Sequence, residues 1–203
     1  MLRVRQMWYK IIFQLEDFGH HNAHLVSKNY LTYPFFTPTQ VDYALTYGED
    51  LITHPNYEEE KASSTPAHPV VSPQIIQKLY TIRNSPSDRE RERKKEKYPT
   101  YGKVQYIPPG TKFCTYSQHK PKTKVIVIGK KRRVARILSI EPVEAKEERF
   151  KLTSPDLISH ENFRSLNPSE YQIIAMSSRW IYGRFKVARC LKISNDYFVS
   201  VIL

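Results

Sequence analysis

The chain has only two cysteines and six glycines in 203 residues, and no long apolar run. Cys114 and Cys190 are too few for a disulfide framework and lack metal-type spacing, so a reducing, cytoplasmic setting is expected. Nothing approaches the ~18 apolar residues of a membrane span. The start, residues 1–6, is basic, but Tyr9 to Leu15 is interrupted by Lys10 and Gln14 and no small-residue cleavage site follows. A secretory signal is therefore not expected. Chemistry-bearing loops are also missing. There is no Gly-x-Gly-x-x-Gly and no Gly-Lys-Ser/Thr, and Gly129-Lys130-Lys131 lacks the hydroxyl that holds Mg²⁺. No serine nucleophile elbow occurs, and the case for an enzyme is weak.

The most informative absence is acid. Between residues 97 and 140 there is no Asp or Glu, while Lys103, Lys112, Lys120, Lys122, Lys124, Lys130, Lys131, Arg132, Arg133 and Arg136 all fall there. The whole chain carries a formal charge of +12 with a pI of about 9.6. The first 60 residues are nearly balanced, and the excess sits after residue 89. A clustered field of this sign concentrates a polyanion at the surface. The competing reading is a solvated edge whose lysines protect it from aggregation. Tyr98, Tyr101, Tyr106, Phe113 and Tyr116 interleave with the cations and suit stacking on unpaired bases. Lys120, Lys122 and Lys124 alternate, which in an extended chain places them on one face. Gly129 allows backbone N–H groups to turn toward an anion beside Lys130, Lys131, Arg132 and Arg133.

Fourteen prolines, fourteen tyrosines and a 40% hydrophobic share predict ordered, extended segments around a modest core. Residues 7–15 read as a strand. Thr37 caps and Pro38 opens a helix over about 38–53, with Val41, Ala44, Leu45, Gly48, Leu51 and Ile52 on one face. A loop (56–71), a short apolar segment (75–82) and an alternating-charge tether (84–97) form an expected mobile insertion at about 56–97. Strands are expected over 98–107, 111–117, 125–128 and 134–140, with Pro108-Pro109-Gly110 as a turn. Ser194-Asn195-Asp196 signals a hairpin between 185–193 and 197–203. The sum is one α+β domain over 1–203 with a mainly antiparallel sheet.

His20, His21 and His24 form a second constellation. His20 and His24 have i,i+4 spacing, but no helical apolar pattern or acidic ligand supports a metal. RNA-contacting or polar-loop histidines fit better, with a general base acting on RNA as the alternative. That alternative is a metal-independent endoribonuclease using His20, His21 or His119 with Tyr116 and Lys120. An unrelated basic DNA-binding protein is a further alternative.

Three patches between about residues 8 and 136 resemble a known family. Asp42-Tyr-Ala-Leu-Thr-Tyr-Gly48 resembles its Asn/Asp-Tyr-Ala-Leu-Thr-Tyr motif. Ile107-Pro-Pro-Gly-Thr-Lys-Phe113, followed by Ile128-Gly-Lys-Lys-Arg-Arg-Val-Ala-Arg136, resembles its later signature, although Val127-Ile128 stands where an Arg is usual. The family is the small Cas-five-like subunit (Csc family, RAMP superfamily) of type I-D CRISPR surveillance complexes, or Cascade. The resemblance implies a ferredoxin-like (RRM-like) antiparallel fold with an early helix and a large insertion. It also implies a non-catalytic subunit that caps the 5′ handle of the guide crRNA and touches the large and backbone subunits, with target DNA as a further contact. No cofactor, metal or membrane is implied. By position, Gly129, Lys130, Lys131 and Arg136 match the family's Gly-Lys segment; Tyr116, His20 and His21 are candidates from the residues themselves.

Overall fold

The computed structural model describes residues 7–19, 22–26, 29–46, 63–81, 101–129, 133–177 and 180–202. Its strands in chain order are β1 (Met7–Leu15), β2 (Asn22–Val26), β3 (Asn29–Thr32), β4 (His68–Pro69), β5 (Ile76–Thr81), β6 (Tyr101–Tyr106), β7 (Lys112–Ser117), β8 (Val125–Ile128), β9 (Arg133–Glu148), β10 (Lys151–Leu152), β11 (Asp156–Ser159), β12 (Glu170–Met176), β13 (Trp180–Val187), β14 (Cys190–Ile193) and β15 (Asp196–Phe198). Two helices are described, α1 (Pro38–Thr46) and α2 (His160–Leu166). The molecule is thus mixed but mostly β, its sheets mainly antiparallel.

Alternation in β1 buries Ile11, Phe13 and Leu15 in one cluster, while Trp8, out of phase with them, is buried in another; β1 is an inner strand of a sheet ordered β15-β14-β9-β1-β7-β4, with β8 on β9. β1 runs antiparallel to both neighbours, and its register with β9 shifts between Ile12 and Phe13. Val41, Ala44 and Leu45 of α1 close over Phe13, Ile126, Ile128 and Ala135 to form the main core. Thr37 caps that helix as expected: its Oγ1 accepts from Gln40 N, and its own N donates to Gln40 Oε1. Residues 47–53 of the expected helix lie outside the described residues.

The strand expected over 134–140 is far longer, reaching Glu148, because its second half pairs with β14. A second sheet centres on β13, with β10 and β11 along one edge and β12 along the other. A third is ordered β2-β3-β6-β5, with β3 and β6 parallel. The expected C-terminal hairpin is present as β14–β15, turning through Ser194 in the left-handed region.

The expected insertion at about 56–97 needs correction over 63–81. Ser64, Thr65 and Ala67 are fully buried, and hydroxyls knit the segment to β7: Ser64 Oγ donates to Ser117 Oγ at 2.7 Å, and Tyr116 N to Thr65 Oγ1 at 3.0 Å. Side-chain hydroxyls here do the work of a strand edge, which a loop-like composition conceals. The charged tether at 84–97 lies outside the described residues.

Candidate nucleic-acid interface

The end of β1 and the start of β7 meet the start of β9 at one corner of the main sheet. Leu15 pairs with Ala135, and Glu16 N donates to Val134 O at 3.0 Å. From this point two carboxylates reach β9. Glu16 Oε1 pairs with Arg136 Nε at 3.1 Å, and Asp17 Oδ2 with Arg133 Nη1 at 2.8 Å. Asp17 Oδ1 also accepts from Phe18 N at 2.6 Å, so one carboxylate orients both the arginine and the following residue. The acid-free run is therefore partly neutralised from a distant segment.

Phe18 leads away from the ion pair into an aromatic corner. Tyr106 meets it edge-on at 6.0 Å between centroids, and Lys78 Nζ sits 4.4 Å from its ring centroid. The turn below explains why the chain bends here. Gly19 exchanges two backbone hydrogen bonds with Ile107, and Gly110, at φ 82, donates to Leu15 O at 2.8 Å. A Cβ at Gly19 would lie 2.7 Å from Leu15 Cδ1 and 3.2 Å from Ile107 Cβ, so a larger residue here would have to displace the Leu15 side chain. Thr111 Oγ1 donates to Pro108 O at 2.7 Å, closing the Pro-Pro-Gly-Thr turn. That motif thus fastens the end of β1 and sets the direction in which Asp17 and Phe18 leave it.

β8 and β9 form the basic hairpin. Ile126, Ile128, Ala135 and Ile137 face the core, whereas Val125, Val134, Arg136 and Leu138 are exposed. Gly129 leaves β8 at φ 74, in the left-handed region that glycine adopts without strain. Lys130, Lys131, Arg132, His20 and His21 lie outside the described residues. Lys120, Lys122 and Lys124 are exposed, but none lies in a strand, and Pro121 is buried between the first two. Ile137 N donates to Lys124 O, which pins the end of this stretch to β9. The expected one-face alternation is accordingly absent, because proline interrupts the ladder.

Tyr116 is corrected as a stacking residue. It is 4% exposed, packs with Trp8, Ile193 and Phe198, and donates its hydroxyl to Asp196 Oδ2 at 2.7 Å. Burial, followed by that carboxylate, pushes its hydroxyl pKa up. Phe113 is likewise core, stacked on Phe13 at 5.5 Å. Of the interleaved aromatics, Tyr106 is the one whose ring is described at the surface corner. Among the described residues, no group of three or more His, Cys, Asp or Glu could hold a metal. Phe18 and Lys78 carry no signal in the sequence because they lie outside the basic run, and the adjacent Glu16 and Asp17 read there only as carboxylates that point apart. The alternating burial of β1, ending at Leu15, was the signal that the next residues must emerge at a sheet corner.

A scan against protein-family models finds no match, and no curated protein matches the chain. No described helix is long and apolar enough to cross a membrane.

Proposed function

We propose that this chain is a non-catalytic RNA-binding subunit of a type I-D CRISPR effector complex, capping the 5′ handle of the guide crRNA and contacting the large and backbone subunits. The observation that carries the RNA reading is the corner just described. The Arg133–Asp17 pair stands between the basic β8–β9 hairpin and the Phe18–Tyr106–Lys78 cluster. Cations beside aromatic rings are what single-stranded RNA uses: phosphates meet the charges and splayed bases meet the rings. The assignment to the CRISPR complex rests on the three sequence patches. A ferredoxin-like core belongs to the same reading, and the packing of α1 on β8 and β1 supports it. In such a complex sequence is read by guide pairing, and this subunit supplies grip.

The test uses the purified chain and labelled single-stranded repeat RNA. Replacing Lys130, Lys131, Arg132 and Arg133 with Ala should lower affinity and flatten its salt dependence, by about 0.7 in log–log slope per lost phosphate contact. An unchanged slope removes these residues from the site. Equal competition by double-stranded DNA favours a DNA-binding protein instead. RNA cleavage lost in His→Ala variants replaces the non-catalytic reading with an endoribonuclease.

A further inference from the structure

We infer that the outer edge of β12 is a docking site for an extended apolar strand carrying acidic residues, supplied by a different protein. One edge of β12 is paired with β13 from Glu170 to Met176; among the described residues no strand pairs the other. Open edges are normally blunted by charges, prolines or cover. β12 has one charge, Glu170, already engaged by Lys186 Nζ at 2.6 Å. Every residue of the strand except Ala175 is exposed, including Tyr171 (59%), Ile174 (51%) and Met176 (55%).

The strand is nonetheless firmly placed. Phe163 of α2 packs edge-on against both Tyr171 and Phe185, at 5.2 and 5.8 Å. Gly183 lets β12 approach so closely that a Cβ there would lie 2.3 Å from Gln172 O. A pre-set edge whose N–H and C=O groups no described strand pairs selects an extended partner, and its apolar side chains select apolar ones. Charge decides whose strand it is. A second copy brings another +12, while Arg184, paired to Gln172, is exposed one strand away. Both favour acid on the partner. The site is independent of the RNA reading.

Two synthetic peptides test it by fluorescence anisotropy against the full chain, one alternating valine with glutamate and one alternating valine with lysine. The glutamate peptide should bind saturably and the lysine peptide at least ~10-fold more weakly. Ile173→Glu with Ile174→Glu should abolish binding of the glutamate peptide while circular dichroism stays unchanged. Arg184→Glu, at an exposed site, should narrow or reverse the peptide preference even if the double variant misfolds. No binding by either peptide, or equal binding by both, overturns the proposal. So does concentration-dependent dimerisation in sedimentation that Ile173→Lys abolishes, which would give the edge to a second copy.

Discussion

Asp17 holds Arg133 through a 2.8 Å contact, with the two side chains 48% and 25% exposed. A phosphate reaching Arg133 must therefore compete with a carboxylate already in place. Asp17→Asn keeps an oxygen for Phe18 N but removes that competitor. RNA affinity should rise and the log–log salt slope should steepen by about 0.7, one single-strand phosphate contact. Stability should change by less than about 1 kcal/mol, as for exposed ion pairs. An unchanged slope in salt titrations would place Arg133 away from the phosphates.

Gly183 tests how the second sheet is held. Gly183→Ala sets a methyl group against Gln172 O, which is backbone and cannot rotate aside. β12 should separate from β13, costing about 1–3 kcal/mol by analogy with overpacked cores. Hydrogen exchange should show lost protection in 170–176 while β1 and β7 keep theirs. Retained protection across β12 would mean the sheet absorbs the methyl by sliding.

Local patterns were legible in the sequence, and distant pairings were not. Val125 to Ile128 announced a strand, although only Ile126 and Ile128 of it are buried, and Thr37-Pro38 announced a helix start, because each signal lies within a few residues. The length of β9 was hidden: residues 141–148 carry four glutamates and Pro142, and only pairing with β1 and β14 makes them a strand. The site suffered in the same way. Arg133 and Asp17 lie 116 residues apart, so an acid-free run in sequence is not acid-free in space. Tyr116 looked available for stacking until Asp196, 80 residues on, took its hydroxyl.

Asp156 anchors the C-terminal segment from inside. Fully buried, it accepts from Val199 N and Ser200 N through Oδ2, at 2.7 and 2.9 Å, and from Leu157 N through Oδ1 at 2.8 Å. Asp156→Ala leaves these donors without that acceptor, at a cost of about 1–3 kcal/mol for each one that stays buried and unsatisfied. The urea midpoint should fall markedly, and residues 196–202 should become the first protease-sensitive site. A variant with wild-type stability would show that water replaces the carboxylate.

His68 gives the fold a specific acid sensitivity. Its Nδ1 lies 2.8 Å from Tyr182 Oη, and its ring lies parallel to Phe198. Burial lowers its pKa to about 4, outweighing the opposing pull of Asp196 and the Pro155 carbonyl. In the unfolded chain the same imidazole takes a proton near pH 6.5. Between these values the unfolded state binds more protons, so stability rises with pH through this window and is complete above it. Acidification from pH 6.5 to 4 should therefore cost up to about 3 kcal/mol from this group. Below pH 4 its contribution should stay constant. Urea titrations at each pH, compared between the wild type and His68→Gln, isolate it from the carboxylates that titrate nearby. The difference between the two curves should grow steadily above pH 4 and flatten above pH 6.5. A difference independent of pH would mean that His68 is protonated as readily in the fold as in the open chain.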